Sequence, residues 1–166
     1  MLSLLVYLTW LISTITAFTD WKSAMPETVF WDTAAFIALG NADDELHAAA
    51  VTVSSQLAQA GARVLTTDAI LTEVANTFSK TAWRSVARRL IEAVKESVAM
   101  QMATVVHVDT ALWQRGWEFF LARPDKDWGL TDCFSFVVMQ DYGVARAFTS
   151  DRHFEQAGFK RLLMAG

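Results

Sequence analysis

Four acidic side chains stand out by the company they keep. Asp32 interrupts the apolar stretch "VFWDTAAFIAL", Asp132 stands second in "TDCFSF", Asp151 follows "VARAFTS", and Glu73 lies among Ile70, Leu71, Val74 and Phe78. A carboxylate set between buried apolar segments costs free energy unless something pairs with it. Each aspartate has an ordinary alternative: Asp32 as a helix N-cap, Asp132 as first-turn charge on a helix dipole, Asp151 as a turn residue. A glutamate in mid-helix has no capping role to play. Brought together, the four would repel unless protonated or bound to a cation, and an oxygen-only donor set suits Mg2+ or Mn2+ better than zinc. Such a centre supports hydrolysis of phosphoryl or phosphodiester bonds.

The elements that would carry these residues alternate short strands with longer helices. "VFW", "ARVLTT", "TVVHV" and "VARAFT" read as strands, with "FKRLL" as a further edge strand. Between them, helices are expected in "TAAFIALGNADD", in "DELHAAAVTVSSQLAQA" capped by Asp43 and ending at Gly61, and in "AILTEVANTFSK" capped by Thr67 or Asp68. "TAWRSVARRLIEAVKESVAM", "TALWQRGWEFFLAR" capped by Asp109, "TDCFSFVVMQDYG" and "SDRHFEQAG" complete the helices. This is an α/β pattern: a mostly parallel central sheet of four to five strands between two helical layers. In such sheets ligands bind beyond the carboxyl ends of the strands, the rim on which Asp32, Glu73, Asp132 and Asp151 all fall.

The chain has 166 residues, 53% of them hydrophobic and 19% charged, with a net charge of −4. That fits one globular domain and leaves any nucleic-acid contact to a local basic patch. The single cysteine, Cys133, excludes an internal disulfide and a multi-cysteine metal site, and its apolar context makes it a small buried hydrophobe. A cytoplasmic setting is expected. Residues 1–24 form an apolar leader without a charged side chain before Asp20, and a domain is read over residues 25–166. The leader has no basic n-region and no clean cleavage site. It reads as a dispensable extension, with Met25 as the start of the domain; membrane association through residues 1–19 and a packed helix are the alternatives.

The stretches "VFWDTAAFIAL", "LTTDAILTEVAN", "DWGLTDCFSFVVMQDYGV" and "AFTSDRHFEQAGF" together resemble the PIN domain, in particular the VapC-like ribonuclease toxins, in order over residues 29–163. The pair "LTDCFSF" and "TSDRHFEQAGF" is the most specific part. The resemblance implies a Mg2+-dependent endoribonuclease, with Mn2+ as a substitute, in which Asp32, Glu73, Asp132 and Asp151 hold the metal. It also implies an RNA substrate, an antitoxin partner and a homodimer. Thr149 matches the polar residue beside the last aspartate, and Thr33 and Thr131 flank the site in the same way. The leader has no counterpart in the family.

For RNA, Lys80, Arg84 and Arg88 stand at i, i+4 and i+8, one stripe of the expected helix with Arg89 beside it. That stripe either steers phosphates or is an ordinary solvated face. His153, two residues after Asp151, is read as structural or as a phosphate contact, and Trp128 as a loop residue near the site. Trp31, Trp113 and Trp117 are read as core, His107 as a packed strand residue and His47 as helix surface. No GxGxxG, P-loop, GxSxG or zinc-spaced histidine pair is present, and position 34 is alanine where a dehalogenase-type phosphatase needs an acid. The competing reading is a non-catalytic α/β module that holds a cation or a protein.

Overall fold

The computed structural model describes residues 26–164. The expectations for residues 1–24 lie outside this range. No described helix is long and apolar enough to cross a membrane.

The sheet has five strands, all parallel: β1 (Thr28–Trp31), β2 (Arg63–Thr67), β3 (Ala103–Val106), β4 (Arg146–Phe148) and β5 (Lys160–Arg161), in the spatial order β3-β2-β1-β4-β5. Between them run α1 (Thr33–Gly40), α2 (His47–Gln59), α3 (Asp68–Thr77), α4 (Arg84–Ala99), α5 (Thr110–Leu121), α6 (Leu130–Asp141) and α7 (Arg152–Gln156). The strands alternate between two apolar clusters, as the two-residue period of a strand requires. Phe30, Leu65 and Ala147 enter one with residues of α3 to α7, and Val29 and Phe148 enter the other with Ala35, Ala50 and Leu57 of α1 and α2. The expected three layers are therefore present, with a sheet that is parallel throughout.

Chain topology fixes where a ligand can go. From β1 the chain moves outward to β2 and β3, then crosses back to place β4 on the other side of β1. The connections on the two sides of the β1–β4 seam leave in opposite directions, which opens a crevice at the carboxyl ends of these strands.

Local chemistry sets the helix ends. Thr67 caps α3, its hydroxyl accepting from the Ile70 N–H at 3.1 Å, and Asp109 caps α5 through the Leu112 N–H at 2.8 Å. Asp43 does not cap α2. The helix starts at His47, and Asp44 instead accepts from the Leu46 N–H at 2.8 Å, because a short turn intervenes. His47 is not free helix surface either, since its Nδ1 lies 2.7 Å from the Ala38 carbonyl and ties α2 to α1. Cys133 is fully buried, and burial pushes its thiol up to about 11.

Candidate metal centre

The site grows from the register of two strands. Trp31 lies opposite Phe148 in the parallel β1–β4 pair, so the chains leave the sheet side by side as Asp32 and Thr149. The Asp32 N–H donates to the Phe148 carbonyl at 3.3 Å, and the Thr149 hydroxyl donates to Asp32 Oδ2 at 2.6 Å. The same hydroxyl accepts from the Asp151 N–H at 2.9 Å, which folds the turn after β4 back toward the crevice.

Asp32 occupies the N-cap position of α1 in extended backbone, yet its side chain makes no cap hydrogen bond. It is only 6% exposed. Burial pushes its carboxyl up to about 6, with the Asp132 charge adding to the rise, while the Thr149 hydroxyl and the N–H groups of Thr33 and Ala34 oppose it.

Asp132 lies in the first turn of α6, where Oδ2 accepts from the Gly129 N–H at 2.9 Å. Its carboxyl is also raised, first by burial and then by Asp151, against the Gly129 N–H and His153. Asp151 caps α7 by accepting from the His153 N–H at 2.8 Å. Asp132 is thus the first-turn charge that sequence reasoning offered, Asp151 caps a helix where a turn residue was the alternative, and each still offers an oxygen to one cluster. His153 Nδ1 lies 3.2 Å from Asp132 Oδ2 and 3.4 Å from Asp151 Oδ2.

Glu73 joins from α3. Its Oε2 accepts from the Thr33 hydroxyl at 2.7 Å, so the residue after Asp32 holds the glutamate. The structure thus brings Asp132, Asp151 and His153 into one cluster, with one donor atom from each lying within 4.8 Å of the others. Asp32 and Glu73 lie outside that three-residue group: Asp32 is tied to the Asp151 turn by the Thr149 hydroxyl and feels the Asp132 charge, and Glu73 is held by Thr33. The Thr131 side chain makes no hydrogen bond to the group among the described residues, and its carbonyl accepts from the Ser135 hydroxyl at 2.9 Å.

These residues fit a divalent cation. Asp132, Asp151 and His153 each place a donor atom within 4.8 Å of the others, a spread that an octahedral ion with bonds of about 2.1 Å can bridge. A carboxylate kept out of water, with a second one near enough to raise its pKa, is the arrangement a cation relieves.

Other candidates sit elsewhere. Trp128 is buried rather than displayed: its indole N–H donates to Gln156 at 3.1 Å, its ring stacks on Phe119 and meets Phe136 edge-on, and Arg123 covers it at 4.8 Å. Lys80 precedes α4 in a turn, so the helical stripe reduces to Arg84 and Arg88, both exposed, with Arg84 Nε donating to the Ser79 carbonyl at 2.9 Å. Trp113 and Trp117 are not core, at 46% and 36% exposure, whereas Trp31 packs against both clusters. His107 lies past the end of β3 with its side chain 80% exposed, its Nδ1 held 3.0 Å from Asp68 Oδ2. Two roles were not read from the sequence: Thr33 as the holder of Glu73, and His153 as a bridge between two carboxylates. The threonine next to Asp32 and the histidine two residues after Asp151 were the available signals.

Comparison with known proteins identifies the family to which this fold belongs. Residues 29–160 match the PIN domain family. The 23S rRNA-specific endonuclease VapC20 of Mycobacterium tuberculosis, found in two strains, is 30% identical over 135 residues, which span 79% of this chain and 95% of that protein. The crystal structure of VapC20, titled a sarcin-ricin loop cleaving toxin, superposes with a TM-score of 0.66 at 24% identity, covering 79% of this chain and 95% of that one. VapBC2 from Rickettsia felis, bound to a promoter DNA fragment, shares the fold with a TM-score of 0.58 at 9% identity, over 81% and 96% of the two chains. The chain belongs to the PIN domain family, and within it is VapC-like.

Proposed function

We propose that this protein is a metal-dependent endoribonuclease, the toxin of a toxin–antitoxin pair, working in the cytoplasm. The observation that supports the reading is the cluster of Asp132, Asp151 and His153 in a PIN domain, with Thr149 donating to Asp32 and accepting from the Asp151 N–H. Asp32, Asp132 and Asp151 hold the cation, Mg2+ or Mn2+, with Glu73 completing the shell or orienting the attacking water. A bound divalent ion supplies a Lewis acid for the phosphate and lowers the pKa of water.

The chain's own residues do the rest. Thr149 fixes the Asp32 carboxylate and the turn bearing Asp151, so the donors are in place before substrate arrives. Thr33 keeps the Glu73 carboxylate beside that group, where it can accept a proton from water. In-line attack on phosphorus with departure of the 3′ oxygen leaves a 3′-hydroxyl on one fragment. Arg84 and Arg88 offer the exposed cations for phosphate attraction, and charge reversal at both should raise KM and flatten its salt dependence.

VapC20 is named for 23S rRNA, which makes large-subunit ribosomal RNA the first substrate to test. For protein partners, α5 displays Trp113, Trp117, Phe120 and Leu121, an uncharged apolar stripe that suits pairing with a second copy. In a cleavage assay, the purified protein should cut RNA with Mg2+ or Mn2+ and stop in EDTA. Asp132→Asn should lose roughly 100-fold or more in rate while keeping its circular dichroism spectrum. Full activity of that variant, or cleavage undiminished by chelation, overturns the proposal.

A further inference from the structure

The three-residue turn Thr149-Ser150-Asp151 carries two members of the site, and it is held from the C-terminal side of the chain. Backbone bonds run from the Lys160 N–H to Ala145, from the Leu162 N–H to Ala147 and from the Leu163 N–H to Thr149, at 2.8, 2.9 and 3.1 Å. Ser150 lies beyond this ladder. A side chain reaches it instead: Arg161, which sits opposite Ala147 in the β4–β5 pair, donates from Nη1 to the Ser150 carbonyl at 2.6 Å. Nη2 of the same guanidinium lies 3.3 Å from Glu155 Oε2 on α7, the helix that bears His153.

We propose that Arg161 is a positioning residue for the metal centre, an inference that rests on the reading of that centre given above. One planar fork joins the turn carrying Asp151 to the helix carrying His153, and it anchors both to the last strand. Asp151 and His153 then move as a unit relative to Asp132. The side chain is 23% exposed, and its Nε is buried without a partner among the described residues. A guanidinium kept at that cost is held by geometry rather than by solvation. Lysine presents a point charge in place of a fork and satisfies the two acceptors less well.

The test is Mn2+ binding to the full chain by isothermal titration calorimetry, for wild type, Arg161→Met, Arg161→Lys and Glu155→Gln, at a temperature where thermal melts show each to be folded. Arg115→Met is the control, because Arg115 pairs with Asp141 on the surface. Arg161→Met should weaken Mn2+ binding about 3- to 10-fold, less than the roughly 10- to 100-fold for loss of a group bonded directly to a ligand, because Arg161 acts through Ser150 and Glu155. Arg161→Lys and Glu155→Gln should fall between it and wild type, and Arg115→Met should bind as wild type does. A lowered melting temperature with unchanged Mn2+ affinity makes Arg161 a staple of the fold and overturns the proposal. If Arg161→Met does not fold, the lysine and Glu155 variants decide the matter in the same way. Absence of Mn2+ binding by wild type is a separate result, which refutes the reading of the metal centre itself.

Discussion

Asp32 keeps its proton up to about pH 6 in the folded chain, against an ordinary value of 3.8, because burial outweighs the hydroxyl and N–H groups around it. Between those two values the native state binds more protons than the unfolded one, so stability falls as pH rises. The cost is absent below the lower value and complete above the upper one, where it amounts to about 3 kcal/mol. Asp132 is shifted in the same direction. Asp125 and Asp141, lowered by Arg123 and Arg115, act below the ordinary carboxylate range and do not offset it in this window. Protein freed of metal should therefore lose stability to thermal unfolding from pH 4 to pH 7, and Asp32→Asn should flatten that slope. A divalent ion binds the ionised carboxylates, so Mn2+ should raise the melting temperature more at pH 7 than at pH 5. A pH-independent melting temperature, or the same slope in Asp32→Asn, contradicts this reading of the residue.

Helices α5 and α6 meet at one close approach that sets the entry of Asp132 into the site. A Cβ on Gly116 would stand 2.1 Å from Cδ1 of Phe134, two residues after Asp132. Gly116→Ala should destabilise the protein by about 1–3 kcal/mol through forced repacking, measured by urea denaturation. A neutral result would mean that α6 is free to shift. Much of this level was legible in the sequence. The apolar runs gave every strand within a residue or two, and Thr67, Asp109 and Gly61 marked helix ends by the chemistry of caps. What was not legible depended on neighbours distant in the chain. Trp128 reads as a loop residue until Phe119, Phe136 and Gln156 close around it, and His107 reads as strand until Asp68 draws it past the sheet edge. Trp113 and Trp117 have apolar surroundings in sequence but face outward on α5, stacked on each other and on Phe120. The carboxylates were candidates in the sequence because Asp32 and Asp151 follow strands, Asp132 opens a helix and Glu73 lies within the helix after β2. Thr33 and Thr149 were placed beside them, but their bonds required the β1–β4 register.

At the scale of the whole molecule, a parallel sheet with one crossover reversal sets Asp32 beside Thr149 and brings Asp132, Asp151 and His153 into one cluster. That is a task no local segment could perform. The net charge of −4 leaves RNA attraction to local cationic groups, for which Arg84 and Arg88 are the proposed candidates. The exposed α5 stripe belongs to this level too. Light scattering after gel filtration should give a dimer for wild type and a monomer for Trp117→Glu, whereas a monomeric wild type removes α5 as a contact between copies. The central claim is that oxygens from remote parts of the chain surround one cation, and anomalous diffraction from crystals soaked in Mn2+ tests it most directly. A manganese peak is expected at the carboxyl ends of β1 and β4, within about 2.0–2.3 Å of carboxylate oxygens from Asp32, Asp132 or Asp151. A crevice without manganese, or a peak that none of these carboxylates reaches, contradicts it.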